Sequence, residues 1–184
     1  MARVLVPLAD GFEEIEAVTV IDILRRAEIE VVTAGLGQGP ARGSRDIHVV
    51  PDTVLDTVQD EDFDMVVLPG GLAGADNLQN DGRIIALLKR LAAGGRVTAA
   101  ICAAPRVLAA AGLLENRTAT GFPGLLDPVS TPGLSLSEAP VVEDGTVITS
   151  RGPGTAMDFA LALVERLAGR AVRVNVEGRL QRPD

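Results

Sequence analysis

The sequence predicts an α/β fold with a mostly parallel sheet covered by helices on both faces. Short runs of apolar and β-branched residues alternate with longer segments of helical periodicity along the chain. This alternation is typical of strand–helix–strand units. The strand-like runs are apolar throughout, as expected for strands that are buried on both faces.

The first part of the chain predicts a strand, a helix and a second strand. RVLVPL (3–8) is an apolar run of strand length, and EEIEAVTVIDILRRA (13–27) repeats apolar residues at helical spacing. IEVVTAG (29–35) is again β-branched and apolar. GLGQGPARGSR (35–45) is rich in glycine and predicts a turn region, followed by a short strand in DIHVVP (46–51).

The middle of the chain predicts two further strand–helix pairs. DMVVLPGG (64–71) predicts a strand that enters a glycine turn, and DGRIIALLKRLAAGG (81–95) predicts a helix that ends at its two glycines. RVTAAIC (96–102) predicts a strand, and the alanine-rich APRVLAAAGLL (104–114) predicts a helix. The only cysteine of the chain therefore stands where a strand passes into a helix.

The last part begins with PGLLDPVSTPGLSLSEAP (123–140), which predicts one long irregular stretch. Loops of that length are often functional or mobile. TVITSRGPG (146–154) predicts a strand that enters a glycine turn, and TAMDFALALVERLAG (155–169) predicts an amphipathic helix. Thr155 and Asp158 have the spacing of an N-terminal cap for that helix.

Composition excludes several classes of function. The 184 residues include 17 basic and 25 acidic ones, for a net charge of −8, so neither nucleic acid nor an anionic membrane is expected as the main partner. No apolar run approaches the roughly 20 residues of a membrane span. The acidic run after Asp10 does not fit a secretory signal peptide. The length predicts one domain over 1–184, and a single cysteine, which permits no internal disulfide, predicts a cytoplasmic location.

Two carboxylates fall on the apolar face of the first predicted helix. At about 100° per residue, Glu13 and Glu16 share a face with Ala17, Val20, Ile21, Ile23, Leu24 and Ala27, and Glu14 lies at its edge. Acids in a first turn also favour the positive end of the helix dipole while staying solvated, which is the alternative for Glu13. The apolar neighbours of Glu16 indicate burial, and a buried carboxyl tends to keep its proton. Such a group can donate to a thiolate or relay a proton.

Cys102 has two interpretations. A lone cysteine on an apolar strand is often a small structural hydrophobe. A cysteine just before a helix can instead be a nucleophile, because the helix N-terminus favours the thiolate. In that case the N–H groups of Ala103 and Gly71 can form a two-donor oxyanion hole. The ends of four predicted strands, PLADGFEE, LPGGLAG, AICAAP and SRGPG, would converge there.

Other chemistries lack the residues that they need. The only histidine, His48, stands next to a different turn and is not assigned as a base for Cys102. One histidine and one cysteine cannot complete a tetrahedral metal site, so neither a metal nor a cofactor is expected. GLGQG (35–39) imitates a dinucleotide loop, but Pro40 follows it and no helix does, so it predicts a turn.

Taken together, the segments LADGFEEIEAV, GSRD, VVLPGG, AAICAAP and TSRGPGTAMDFAL resemble the ThiJ/PfpI superfamily, specifically the branch of the parkinsonism-associated deglycase. The resemblance covers essentially the whole chain. It implies a flavodoxin-like sandwich and a homodimer that pairs through the region of the first helix. It also implies a terminal helix in AVRVNVEGRLQRPD (171–184), where the alternating valines alone would suggest a strand. We expect the helix.

The resemblance also implies roles for particular residues. The reactive cysteine at a strained elbow maps onto Cys102, and the buried glutamate that hydrogen-bonds its sulfur maps onto Glu16. The oxyanion-type amides map onto Gly71 and Ala103. Arg26 and Arg45 match arginines near the dimer interface and the site, with Glu13 among their partners. The remaining wall of the site is implied to comprise Gly70, Phe122, Ser150, Arg151 and Pro153.

One position departs from part of that family. Human-like members place a histidine before a proline in the segment after the elbow helix, where this sequence reads TATGFPG with Phe122. Bacterial ThiJ-like members also read GFP, so the chain is similar to that subgroup. The residue after Cys102 is Ala103, where protease-like members carry histidine, and this argues against a Cys–His peptidase.

The family implies one leading function and two alternatives. The leading hypothesis is a protective enzyme that acts on reactive dicarbonyls, either as a glutathione-independent glyoxalase or as a deglycase of methylglyoxal adducts. Its partners would be small dicarbonyl or glycated substrates. The first alternative is an oxidative-stress sensor or chaperone in which Cys102 is oxidised to the sulfinate. The second is a dimeric scaffold with an inert thiol.

Overall fold

The computed structural model describes residues 1–182, and Pro183 and Asp184 lie outside the described residues. Its strands are β1 (Arg3–Leu8), β2 (Glu30–Gly35), β3 (Ala41–Arg42), β4 (His48–Val49), β5 (Thr53–Val54), β6 (Met65–Leu68), β7 (Val97–Ile101), β8 (Thr118–Ala119), β9 (Ser135–Leu136), β10 (Val141–Asp144) and β11 (Val147–Ser150). Its helices are α1 (Glu14–Arg26), α2 (Leu55–Val58), α3 (Leu72–Asn80), α4 (Gly82–Ala93), α5 (Pro105–Ala110), α6 (Ala156–Ala168) and α7 (Arg170–Arg179).

Seven of these strands form one sheet in the order β10-β11-β7-β6-β1-β2-β5. All of its neighbouring pairs are parallel except β10 with β11. Strands β6, β7 and β11 are buried at every residue, and β1 at every residue but its first. The predicted α/β class with a mostly parallel sheet is therefore confirmed, and the uniformly apolar strands have the burial that such a sheet requires.

The site lies where the direction of the sheet connections reverses. The chain leaves β1 through α1 to reach β2 on one side, whereas β6 pairs with β1 on the other side. Loops at the carboxyl ends of two such strands diverge and leave a crevice. Glu13 begins α1 after β1, Gly70 and Gly71 follow β6, and Cys102 follows β7.

The first helix buries the face that its spacing predicts. Glu16, Ala17 and Val20 are almost fully buried, as are Ile23 and Leu24, and the helix packs against α6. Ile21 and Ala27 are half-buried. This apolar face belongs to the core of the same chain and is not available for pairing two chains. The apolar side chains that α1 leaves exposed are Ile15 and Val18, and the homodimer stays a prediction.

Several features differ from the sequence prediction. The glycine turn predicted at LPGG is present, but helix α3, which begins directly after Gly71, was not predicted, and neither was α2. The stretch 123–140 is not wholly irregular, since it contains β9, which pairs with the preceding strand β8. The predicted cap by Thr155 is wrong, because its hydroxyl bonds with Gly152 and Ser150 instead of with the first turn of α6.

The C-terminal segment is helical over Arg170–Arg179, as the family resemblance implied, and the last two residues of the predicted helix, Pro183 and Asp184, lie outside the described residues. Helix α7 begins after Gly169, whose φ of +87° breaks it from α6. Val172 is half-buried and Val176 buried, whereas Val174 is exposed. A spacing of four residues places Val172 and Val176 on one helical face, so the valines fit a helix despite their alternation.

The longest helices of the described residues, α1 and α6, have 13 residues each. No helix within residues 1–182 has both the length and the apolar content to cross a membrane.

Gly71 gives a test of this packing. Its φ is +85°, and a Cβ there would collide with the carbonyl oxygen of Gly11 and lie 2.8 Å from the nitrogen of Glu13. We expect Gly71→Ala to lower the free energy of unfolding by more than the roughly 1–2 kcal/mol of left-handed strain alone. Urea denaturation measures the change. Gly37→Ala is the matched control, because nothing lies within 4 Å of its Cβ, and an equal loss in both variants would contradict the packing argument.

Candidate active site

Cys102 occupies a strained turn between β7 and α5. Its φ is +63°, a left-handed conformation that costs a non-glycine residue roughly 1–2 kcal/mol. Its N–H donates to the Ser150 carbonyl at 2.9 Å, and its own carbonyl accepts from Phe122 N–H at 2.8 Å. The side chain is 8% exposed. Neighbouring strand and loop therefore hold the turn from both sides and present the sulfur at the end of the sheet.

Glu16 is fully buried beside this sulfur. Its Oε2 accepts from Gly70 N–H at 2.7 Å, whereas its Oε1 has no hydrogen-bond partner of its own. Burial raises the pKa of Glu16 to about 7, because desolvation outweighs the opposing hydrogen bonds with Cys102 and Gly70. The side chain is therefore poised between its acid and base forms near neutral pH.

The thiol departs from the sequence expectation. Desolvation first, and then the charge of the Glu16 carboxylate, raise the pKa of Cys102 to about 12, although the N–H groups of Gly71 and Ala103 donate to the sulfur and lower it. The expected thiolate-favouring helix end does not prevail, because α5 has only six residues and Cys102 is buried. Protonation of Glu16 removes this repulsion, so the ionisation of the sulfur depends on the protonation state of Glu16.

Glycine is required where the Glu16 and Cys102 side chains meet. A Cβ on Gly70 would lie 2.6 Å from Glu16 Oε2 and 2.7 Å from Cys102 Cβ. Such distances are essentially absent between real Cβ atoms and their neighbours. The Gly70 carbonyl also accepts from Glu13 N–H at 3.0 Å, which joins the loop after β6 to the start of α1.

Glu13 supports the site from the end of the helix. It is the N-cap of α1, and its Oε2 accepts from Glu16 N–H at 2.8 Å. The predicted pairing with Arg26 or Arg45 does not occur within one chain. Arg26 lies at the far end of the same helix and pairs with Asp22, and Arg45 contributes its backbone to a different carboxylate.

That carboxylate belongs to Glu14. Helical spacing predicts this residue only at the edge of the buried face of α1. Glu14 is 5% exposed, and its oxygens accept from Arg45 N–H at 2.5 Å and from the Ser44 hydroxyl at 3.0 Å. Burial opposes ionisation, but these hydrogen bonds and one from Ile47 hold the pKa of Glu14 below its ordinary value. The residue anchors the β3–β4 hairpin to α1. No pattern in the sequence pointed to these partners, about 30 residues away.

The remaining predicted wall residues lie around the elbow in different ways. Ser150 is buried, and its hydroxyl donates to the Pro140 carbonyl at 2.8 Å. It supports the turn through its own carbonyl, which accepts from Cys102 N–H. Pro153 opens a short 3₁₀ turn. Phe122 is 47% exposed, and its ring lies next to Gly152. Arg151 is half-buried, and its guanidinium donates to the Glu138 carbonyl at 3.0 Å.

His48 lies elsewhere, on the exposed hairpin strand β4. Its Nε2 is 3.5 Å from an oxygen of Asp46, and both side chains are exposed. The described contacts of Cys102 involve Glu16 and backbone groups instead.

The chain is similar in sequence and in structure to known proteins of one family. The sequence model of the DJ-1/PfpI family matches residues 2–166. The chain is 45% identical to "Protein dj-1beta" of Drosophila melanogaster, over 90% of this chain and 89% of that protein. It is 37% identical to the "Glutathione-independent glyoxalase DJR-1.2" of Caenorhabditis elegans, over 91% and 89%. The crystal structure of a cysteine-to-alanine mutant of a DJ-1 superfamily protein from Salmonella typhimurium matches with a TM-score of 0.93 and 39% identity, covering 100% of both chains.

The raised pKa of Glu16 predicts a specific pH dependence of stability. The folded protein keeps a proton that the unfolded chain releases between the ordinary value of 4.5 and about 7. The folded state therefore binds more protons in this window, and the free energy of unfolding falls as the pH rises through it. We expect the free energy of unfolding of Glu16→Gln to rise relative to that of the wild type by about 3 kcal/mol between pH 4 and pH 8. This figure follows from about 1.4 kcal/mol per unit of pKa shift.

Urea denaturation across that range measures the difference. Glu14→Gln is the control with the opposite sign, because the pKa of Glu14 is lowered in the folded state. The free energy of unfolding of the wild type should rise relative to that variant as the pH rises toward 4.5 from below, so the series for this control extends below pH 4. A difference between wild type and Glu16→Gln that does not change with pH would contradict the assignment of the raised pKa to Glu16.

Proposed function

This chain belongs to the DJ-1/PfpI family, and on that premise we propose that it is a cysteine-dependent enzyme acting on reactive dicarbonyls. The reaction is that of a glutathione-independent glyoxalase, and the same chemistry extends to the deglycation of methylglyoxal adducts. One observation carries the proposal. The sulfur of Cys102 faces a buried carboxyl whose pKa is about 7 together with the N–H groups of Gly71 and Ala103.

The first step forms a bond between sulfur and the aldehyde carbon. With Glu16 as the carboxylate, the thiol proton passes to Glu16 as the sulfur attacks, and the carbonyl electron pair moves to oxygen. That oxygen takes the same proton from Glu16, which gives a hemithioacetal and restores the Glu16 carboxylate. The amides of Gly71 and Ala103, which donate to the sulfur in the free protein, are close enough to the reacting atoms to stabilise the developing oxyanion.

The next steps exchange protons within the bound substrate. The Glu16 carboxylate removes the hydrogen from the former aldehyde carbon as a proton, and the same proton returns to the adjacent carbon through an enediol. The hydroxyl proton on the former aldehyde oxygen passes to the former ketone oxygen in the same conversion. The product is a thioester of a 2-hydroxy acid. The aldehyde carbon is oxidised and the ketone carbon reduced, so no external oxidant or reductant is needed. Water then cleaves the thioester, releasing lactate from methylglyoxal and restoring the thiol.

A glycated substrate reaches the same intermediate. In the early adduct, the amine occupies the carbon that the sulfur attacks. Displacement of the amine by sulfur, with a proton supplied by Glu16, gives the same hemithioacetal and a free amine. Both versions use Cys102 as the nucleophile and Glu16 as the proton carrier, and neither needs a histidine. This fits a chain with Phe122 and Ala103 where other family members are expected to carry one.

Three variants test this assignment by methylglyoxal consumption and lactate formation. Cys102→Ala is expected to abolish turnover. Glu16→Gln keeps a hydrogen-bond donor but cannot relay a proton, so kcat should fall by roughly 10²–10⁴. Glu16→Asp has a shorter side chain that reaches the substrate less well, so its kcat should lie between those of Glu16→Gln and the wild type. Exposed Glu115→Gln is the matched control. Unchanged turnover in Glu16→Gln would remove Glu16 from the proton-transfer role, and turnover in Cys102→Ala would overturn the proposal.

A second candidate function, sensing of oxidants, rests on the unpartnered Oε1 atom of Glu16. This atom is buried without a hydrogen-bond partner, and its carboxyl faces the sulfur. When protonated it can donate to an oxygen added to Cys102, and a hydrogen bond to a charged group contributes roughly 1.5–3 kcal/mol. No second cysteine exists in the 184 residues to trap a sulfenate as an internal disulfide. Oxidation by peroxide therefore leads on to the sulfinate.

Peroxide titration with intact-mass measurement tests this candidate. We expect Cys102 to be the most oxidation-sensitive residue and to stop mainly at the addition of two oxygens. Glu16→Gln should still form the sulfinate, because it keeps a donor, whereas Glu16→Asp should form less of it. The Cys102→Ser variant supplies the background of methionine oxidation. Equal peroxide sensitivity in wild type and Cys102→Ser would remove Cys102 from the sensor role.

A further inference from the structure

Arg151 is unlike the other arginines of its burial class. Seven arginines among residues 1–182 are half-buried. Six of them have a carboxylate oxygen within 4 Å, namely Arg3, Arg83, Arg106, Arg117, Arg173 and Arg182. Within the same described residues, Arg151 has none. A guanidinium that is partly withdrawn from water normally meets an anion, because its charge is poorly compensated otherwise.

The hydrogen bonds of Arg151 leave most of its donors free for a ligand. One nitrogen, NH1, donates to the backbone carbonyl of Glu138 at 3.0 Å. A guanidinium has five N–H donors in a planar fork that matches the two oxygens of a carboxylate. The single bond to Glu138 holds the side chain in place without neutralising its charge.

Arg151 lines a pocket of about 270 Å³. Its other walls are largely apolar and include Phe122, Leu126 and Leu136. Phe122 and Leu136 are about half exposed, with fractions of 47% and 52%, although both side chains are large and apolar. A cation at one wall and exposed apolar side chains at the others suit a ligand that has an acidic end and an apolar body.

The pocket borders the elbow of Cys102. Phe122 N–H donates to the Cys102 carbonyl at 2.8 Å, and a Cβ on Gly121 would lie 3.3 Å from the same oxygen. The ring of Phe122 lies against Gly152, the residue after Arg151. The pocket wall and the elbow are therefore parts of one hydrogen-bonded turn system.

We propose that this pocket binds small carboxylic acids that have an apolar or aryl body. The carboxylate lies on the guanidinium of Arg151, and the body contacts Phe122 and Leu136. Glu138 also lines the pocket, but its side chain is exposed, and water and salt screen its charge. Binding at this pocket does not require that Cys102 turn over a dicarbonyl. If it does, the pocket would favour dicarbonyls that bear a carboxylate on an apolar substituent.

Direct binding of phenylacetate, measured by isothermal titration calorimetry or ligand-observed NMR, tests the proposal. Phenylacetamide has nearly the same shape without the charge and should bind at least about tenfold more weakly, since a hydrogen bond to a charged group contributes roughly 1.5–3 kcal/mol. Inorganic phosphate has the charge without the apolar body and should not compete at equal concentration. Equal binding of phenylacetamide, or competition by phosphate at equal concentration, would overturn the proposal.

Variants locate the site. Arg151→Gln should weaken phenylacetate binding by at least about tenfold, and Leu136→Ser should weaken it severalfold. Arg151→Lys keeps the positive charge but loses the planar fork of donors, so its affinity for phenylacetate should lie between those of the wild type and Arg151→Gln. This variant also tests the site if Arg151→Gln is poorly folded. Exposed Arg170→Gln, whose arginine also has no carboxylate within 4 Å among the described residues, is the matched control.

Cys102→Ala separates this proposal from the reaction. That variant should bind phenylacetate as the wild type does, whether or not the wild type consumes methylglyoxal. Wild-type affinity in Arg151→Gln would overturn the carboxylate site while leaving the proposed reaction untouched.

Discussion

The buried carboxyl of Glu16 is the interaction on which the site depends. Gly70 N–H donates to one of its oxygens, and the carboxyl interacts with the side chain of Cys102. Burial alone would make both groups hold their protons. Placed together, each also shifts the pKa of the other, because the Glu16 carboxylate raises the pKa of Cys102 and the hydrogen bond with Cys102 lowers the pKa of Glu16. Transfer of the thiol proton to the Glu16 carboxylate leaves the total charge of the pair unchanged, so it does not add a buried charge.

The ends of three strands and the start of α1 bring the side chains of Glu16 and Cys102 together. The left-handed turn at Cys102 directs its side chain away from the path of β7, and the capped first turn of α1 directs Glu16 toward it. Gly70 must lack a Cβ because the two side chains meet where that atom would lie. Glu13 and Glu14 then attach the start of α1 to its own backbone and to the β3–β4 hairpin. The two supporting carboxylates, Glu13 and Glu14, and the reactive Glu16 therefore lie within four consecutive residues at the start of α1.

The sequence predicted the parallel sheet and the burial of Glu16 well, because both depend on local periodicity. Uniformly apolar strands and a carboxylate at helical spacing from Ala17 and Val20 are visible in the residues themselves. The burial of Glu14 was missed, because its partners are about 30 residues away in the chain. Helix α3 was missed because LAGADNLQN has little apolar periodicity. The ionisation of Cys102 was predicted in the wrong direction, because a turn before a helix says nothing about how deeply the packed loops bury the sulfur.

The left-handed backbone at Cys102 has a consequence for how this protein can change over evolutionary time. The strain belongs to the main chain, so every ordinary side chain at that position retains it, and only glycine would relieve it. A glycine substitution would relieve this strain but delete the sulfur and its buried contacts in one step. The backbone conformation itself therefore does not favour cysteine at this position. A lineage that keeps a thiol at this turn carries the strain of the main chain together with the chemistry of the sulfur.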